Sequence, residues 1–416
     1  MRYELYKLFR KRMIIIFLTV GLLWAVASVI VPAFQYETYT EDMEPLRGLS
    51  AIKYDRELQN TYAGRLPLDE LELLYKEYQD IYSNPNYQRE SEISAGKGNP
   101  TPLTDEAYWK YLNRFGVISS VAAKTYYSPL YIDDVRKSGD LTELFLGSIV
   151  VLPSEDALIP AANPNSPNVL KVIGMYDNLE YPLYGEYYAG WTDFFNSTPF
   201  LFKWIVGLLI VVGLAPVFAD ETSTGCDKLL LTTKYGKSRL IRNKILTALL
   251  YSTIVFWAFA LTIILSYIGC YGLSGLRASI QLLPHCSLSP YNLSIGGAIG
   301  LWGILGWISA LAIAAITTFF SAIMTNAFVS VIPALIAYIV PSFSYAELSP
   351  TLHRITRLLP VNVIGNIDQV FSMADFYSFF GALVDRKMLI VIVSVVIISV
   401  LSVLSAVFFL RKEPSK

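Results

Sequence analysis

Two short fragments contain residue types that could handle phosphate. Gly236, Lys237 and Ser238 copy the end of a phosphate-cradling loop, and Leu293 to Gly297 reads LSIGG. Neither has the required context. A phosphate loop needs a second glycine five positions ahead of the first, and a strand before it; the chain has Leu231 at that position and a turn. The LSIGG run falls at the predicted outer edge of a membrane span, away from cytosolic nucleotide. His285 and His353 are the two histidines. A metal site needs three or four converging ligands, and His285 beside Cys286 is too few. No Ser, His and Asp arrangement can be assembled. The chain is therefore expected to be no enzyme, with no catalytic residue, no metal and no cofactor of its own.

The elements that would carry any function are apolar. Hydrophobic residues make up 54% of the 416 and charged residues 16%, which marks an integral membrane protein. Spanning the hydrocarbon takes about 20 apolar residues. Six runs qualify: Met13 to Phe34, Thr198 to Phe218, Ile245 to Gly269, Ile295 to Ala322, Ala327 to Phe343 and Met388 to Leu410. The expected fold is a polytopic α-helical membrane protein with six transmembrane helices. Between the first two spans lies an inserted mixed α/β extracytoplasmic domain, residues 35–197. Residues 198–416 form the remaining membrane core, spans two to six.

Charge orients this arrangement. Arg2, Lys7, Arg10, Lys11 and Arg12 precede span one, and six more cations lie between spans two and three. Arg411, Lys412 and Lys416 follow span six. Cations mark the cytoplasmic side, so both termini are expected there. The insert carries 25 acidic against 13 basic residues and faces outward. The apolar run through Val29, Ile30 and Val31 is longer than a signal peptide requires, so residues 1–34 read as a cytoplasmic amphipathic helix followed by an uncleaved first span. Tyr3, Tyr6, Phe9 and Met13 form one helical row of that first segment, suited to lying on the membrane surface.

Within the insert, LDELELLYKEYQDIY puts Leu71, Leu74, Tyr75, Tyr78 and Tyr82 on one helical face, and Thr104 reads as a helix cap before Tyr108. SIVVLP and NVLKVIG read as strands on either side of a Pro- and Asn-rich turn. In span four, Gly296, Gly300, Gly303 and Gly306 form a small-residue stripe that would let another helix backbone approach. Residues 345–387 are expected to dip into the outer leaflet, because FYSFFGALV is apolar yet too short to cross. Lys203 is expected to snorkel from span two to the headgroups. Cys270 and Cys286 fall in one outer loop and are the candidates for a disulfide, while Cys226 should be a thiol. Asn196 and Asn292 match glycosylation acceptor patterns. Acidic surface and the lack of basic aromatic patches argue against nucleic acid.

The stretch from Phe218 to Lys244 is the most distinctive part of the chain. After span two come Asp220 and Glu221, suited to the positive end of a helix dipole, then a small patch from Thr222 to Gly225. An apolar turn, Leu229 to Leu231, is followed by Thr232, Thr233 and a basic run that leads into span three. An apolar knob exposed to cytosol calls for a partner that supplies a groove.

This arrangement resembles the membrane subunits of ATP-binding-cassette (ABC) transporters of the type 2 class. In that class the segment after span two reads as an acid, a glycine-containing patch, two leucines with Ser or Thr following, and Ser-Arg before a Lys that opens span three. Here those positions hold Glu221, Gly225, Leu229, Leu230, Leu231, Thr232, Thr233, Ser238, Arg239 and Lys244. The chain departs at Cys226, where the family often has Thr, and at Tyr235 and Gly236, where it often has Pro. The resemblance covers the membrane part; the insert matches in position alone.

It implies a permease subunit of an exporter that works with cytosolic ABC ATPases, which bind the ATP and Mg, and with a second permease chain in a homodimer or heterodimer. Residues 219–244 would be the cytoplasmic coupling segment, with Glu221, Gly225, Lys228, Leu229, Leu230, Leu231, Thr232, Thr233, Ser238 and Arg239 as the ATPase-coupling residues. The uncharged spans suit an amphipathic, peptide or lipid-like cargo, and the acidic insert suits cationic antimicrobial peptides and a role in resistance to them. The competing expectation is a membrane-bound peptide sensor that signals without transport.

Overall fold

A computed structural model describes residues 2–89, 99, 101–138, 167–226, 239–343, 345, 348–365, 370–372, 374–379 and 382–411. Among them, five helices are long and apolar enough to cross a membrane: α2 (Arg12–Gln35), α7 (Ala189–Ser223), α8 (Ile241–Tyr271), α9 (Ile295–Ile323) and α13 (Arg386–Arg411). The chain is a polytopic helical membrane protein. The remaining apolar run forms the shorter helix α10 (Ala327–Ser342), which spans roughly 24 Å at 1.5 Å per residue, less than the thickness of the hydrocarbon. Pro333 lies inside it.

Helix α9 is the central post. It packs along α8, α10, α13 and the middle of α7. Helices α2 and α13 are peripheral, with only 22% and 17% of their most apolar windows buried. Their outward side chains, such as Phe17, Leu23, Val396 and Val403, are left for lipid. At the junction of α7, α8 and α9, aromatic rings fill the core. Phe202 meets Trp302 edge-on at 4.7 Å and Phe256 at 5.2 Å.

Helix α7 begins at Ala189, well before the predicted start of span two, and continues past Phe218 to Ser223. It is interrupted twice. Over Leu201–Val206 it widens to a π-helix, and the hydroxyl of Tyr338 on α10 donates to the Lys203 carbonyl at 2.6 Å. At Ala215–Pro216 the proline has no N–H to give. Two serines repair that break: Ser321 of α9 accepts from the Phe218 and Ala219 amides at 2.9 and 3.2 Å, and Ser330 of α10 donates to the Ala215 carbonyl at 2.7 Å. The Lys203 ammonium donates to the Ser342 carbonyl at 3.3 Å, at the end of α10.

In the insert, the described residues form helices joined by turns and loops, with the short ribbon of β1 (Glu37–Tyr39) and β2 (Pro45–Arg47) and isolated bridges at Gly64–Gly185 and Gln88–Leu103. Helices α3 (Leu49–Gln59), α4 (Leu68–Tyr82) and α5 (Gly116–Ser138) enclose Ile52, Leu71, Leu74 and Phe115. The Thr104 cap forms, its hydroxyl accepting from the Ala107 amide. The NVLKVIG run is not a strand but part of α6 (Pro167–Asp177). Its β-branched residues gave the strand signal, yet Val172 and Tyr176 lie four apart on one helical face and bury together with Leu179, Ala374 and Phe376. SIVVLP lies outside the described residues.

Buried Asp55 joins span one to the insert. It accepts from Tyr36 at 2.7 Å, Thr38 at 2.8 Å and Asn113 at 2.9 Å. One residue on, Arg56 donates to the Tyr271 carbonyl at 2.9 Å and so caps α8. Gly272, with φ at +81°, follows that cap and leaves the guanidinium room that a side chain would take.

The described residues between 345 and 387 pack against the bundle. Helices α11 (Pro350–Thr356) and α12 (Pro360–Ile364) place Val361, Val363 and Ile364 in the core, with α12 against α9. Gly365 abuts Pro199 and Lys203 of α7. Within FYSFFGALV and the residue after it, β3 (Phe376–Phe379) and β4 (Ala382–Asp385) pair antiparallel.

The glycine stripe does a different job from the one expected. Gly303 and Gly306 face the rings of Trp257 and Phe256 on α8, so they admit aromatic side chains and not a backbone. Gly296 lies against the Leu276 carbonyl, and Gly300 faces open space. The helical drift of the i, i+4, i+7 pattern spreads the four over several neighbours. Cys270 and Cys286 are not bridged. Cys286 is sealed in the packed loop after α8, Cys270 sits on the α8 flank, and neither they nor Cys226 form a disulfide.

Candidate functional site

The densest charged contact joins three elements at one end of the bundle: the N-terminal helix α1 (Arg2–Phe9), the last turns of α7 after Pro216, and the first turns of α8. Its centre is Lys244, whose exposure is 0%. A buried ammonium needs compensation. Lys244 donates to the Val217 carbonyl at 2.5 Å, pairs with Glu221 at 2.7 Å and lies 3.8 Å from Glu4. The Phe218 ring closes the site at 5.3 Å.

Two further bridges tie α1 to α7. Lys7 lies 3.7 Å from Glu221, and Lys11 2.7 Å from Asp220. Three cations thus meet three carboxylates, and the cluster is neutral. Leu8 anchors α1 beneath the charges, and Phe9 packs on Tyr251 of α8 at 5.4 Å. Glu4 and Leu8 lie four apart on one face of α1, and Lys11, in the extended link before α2, adds the third contact.

The acids do not sit at the start of an exposed helix, as expected from their order. Asp220 and Glu221 belong to the last turns of α7, where the opposite dipole end disfavours them and lysines compensate. Helix α7 then stops at Ser223, and Gly225, with φ at +69°, turns the chain out of it. Cys226 and Arg239 are exposed. Lys228, Leu229, Leu230, Leu231, Thr232, Thr233 and Ser238 lie outside the described residues, as does the rest of the GKS fragment. Sequence reasoning had noted Lys244 only as the residue opening a span, and had missed Glu4. The available signal was a lysine at the rim of a long apolar run, with an acid one helical turn inside the amphipathic N-terminus.

The other candidates resolve into structural roles. Ser294 of LSIGG caps α9 by accepting from the Gly297 amide at 3.1 Å. His285 pairs with Asn196 at 2.8 Å. Among the described residues no group of His, Cys, Asp or Glu is placed to hold a metal. A second charged cluster surrounds β3 and β4. There Arg357 meets Asp375 at 3.2 Å, Arg354 lies 3.8 Å from the same carboxylate, and Arg386 donates to the Arg357 carbonyl at 3.1 Å. Burial, with Arg357 and Arg386 facing it, pushes the nearby His353 imidazole below its ordinary range.

Comparison with protein-family models, with curated proteins and with solved structures finds no match. The site therefore has to be read from its own chemistry. The ion cluster fastens three helices together on either side of the 227–238 segment.

Proposed function

We propose that the chain is the permease subunit of an ABC exporter. Cytosolic ATPase subunits holding ATP and Mg dock on the Leu229 to Thr233 turn, and a second permease chain completes the path for an amphipathic peptide or lipid-like cargo. In this reading α10 counts as a sixth span, both termini lie in the cytoplasm, and residues 35–197 lie outside, where their acidic surface gathers cationic antimicrobial peptides.

One observation carries the reading. The chain leaves α7 just after Glu221 and re-enters the bundle just before Lys244, and those two residues pair at 2.7 Å with the lysine fully buried. A pull on the intervening segment would therefore reach α7, α8 and, through Lys7 and Lys11, α1 together. Rigid fastening of this kind suits a handle gripped by a motor protein, whereas an idle loop has no need of it.

The test is co-purification. Leu229→Asp with Leu230→Asp should abolish recovery of a co-expressed partner ABC ATPase and its stimulated turnover, while the variant still inserts and folds. Retained binding and turnover would sink the docking claim. A tag at Thr233 found on the outer side would sink the topology.

A further inference from the structure

The N-terminal helix has a second face, which shares only Lys7 and Lys11 with the ion cluster. On it runs a groove of about 400 Å³ lined by Tyr3, Tyr6, Lys7, Arg10 and Lys11, three cations with no carboxylate among them. The Arg10 guanidinium lies 5.8 Å from the Tyr6 ring. Tyr3, Tyr6 and Met13 are exposed by 75%, 61% and 63%, although they flank an apolar span.

Position identifies what can lie there. The chain turns at Arg10 and Lys11, and α2 begins at Arg12, so the groove sits within about one helical turn of the hydrocarbon edge. Cations and tyrosines at that depth meet lipid headgroups. On the other side of Tyr3 and Lys7 is a cleft of about 530 Å³ lined by Glu4, Asp220 and Glu221. Lys7 is thus a wall shared by a basic groove and an acidic cleft. The Lys7 and Lys11 side chains keep 39% and 34% of their surface exposed, so their bridges are of the weak, salt-screened kind. Lys244, with no exposure, cannot exchange partners in this way.

We propose that the α1 groove binds the phosphate of an anionic phospholipid headgroup, and that this lipid competes with Asp220 and Glu221 for Lys7 and Lys11. Anionic lipid would then loosen α1 from α7 while leaving the Lys244–Glu221 tie intact. The inference needs only that the chain is membrane-embedded and does not depend on transport.

Native mass spectrometry of the full chain in detergent, titrated with phosphatidylglycerol or with phosphatidylcholine of the same acyl chains, tests it. The wild type should retain phosphatidylglycerol preferentially. Arg10→Gln should weaken that retention about fivefold, the effect of one cation at a membrane surface. Asp220→Asn should strengthen it, because competition is reciprocal. Equal retention of the two lipids, or no effect of Arg10→Gln, would overturn the site; an unchanged or weakened Asp220→Asn would overturn the competition. Displacement by inorganic phosphate at the same concentration as the lipid would overturn the assignment to a membrane lipid. Should Asp220→Asn fail to fold, Lys11→Gln, which removes the contested cation and leaves the groove one charge poorer, must weaken retention as Arg10→Gln does.

Discussion

Lys244→Met removes the ammonium and keeps most of the side-chain volume. In the wild type, Glu221 has Lys244 at 2.7 Å and Lys7 at 3.7 Å, and its side chain is only 8% exposed. The variant therefore leaves a buried carboxylate with one distant, half-exposed partner and a Val217 carbonyl without its donor. Removing one member of a buried pair costs about 3–5 kcal/mol, whereas replacing both by apolar groups is often neutral. Lys11→Gln breaks a pair that is about one-third exposed at each end and should cost under about 1 kcal/mol. The assay is the rate of irreversible unfolding in detergent at one temperature, followed by tryptophan fluorescence. Since about 1.4 kcal/mol is a factor of ten, Lys244→Met should unfold about a hundredfold faster or more, provided the pair breaks in the transition state. Lys244→Met with Glu221→Leu should recover most of the loss. If Lys244→Met behaves like Lys11→Gln, or the double variant is no better than the single, the pair does not fasten these helices and the functional reading loses its support.

Three further outcomes follow from other parts of the chain. The His353 imidazole is pushed below its ordinary value of about 6.5, so the unfolded chain takes up the proton first and stability should fall as pH drops below about 6.5 toward the folded value; His353→Gln should flatten that part of the profile of unfolding midpoint against pH. Gly306→Ala should cost about 1–3 kcal/mol, because the added methyl would lie 2.8 Å from Phe256, while Gly300→Ala, which meets nothing within 4 Å, should be neutral in the same unfolding assay. Asp55→Ala leaves three donors without an acceptor, at about 1–3 kcal/mol each, and should destabilise far more than Asp55→Asn, which keeps one oxygen and drops a charge that burial already disfavours. Protease resistance of the insert, compared between the two variants, reads this difference.

The membrane helices were legible because about 20 apolar residues in a row have few other uses: five of the six runs lie in helices long enough to cross, and the sixth gives the shorter α10, which stops at Ser342. Their ends were not. Span two runs on through AGWTDFFNS at one end and DETS at the other, since polar residues continue a helix readily when aromatic packing or lysines receive them. The helical face of LDELELLYKEYQDIY was readable from its period, whereas NVLKVIG was misread because a few β-branched residues outweighed a spacing that only the Phe376 contact makes meaningful. Of the charged site, the sequence disclosed Glu221 and Lys244 as boundary marks. Their pairing across 23 positions, and the arrival of Glu4 from the far N-terminus, are long-range facts that no local pattern encodes.

The repaired break at Ala215–Pro216 has a mechanical consequence. A helix whose ladder is interrupted by proline would ordinarily flex alone, with water making good the lost bonds. Here the substitutes are hydroxyls borrowed from two neighbours, the buried Ser321 and Ser330. Swinging the tip of α7 would strip those bonds unless α9 and α10 travelled with it, so three rods are geared at one point and the joint transmits rotation instead of absorbing it.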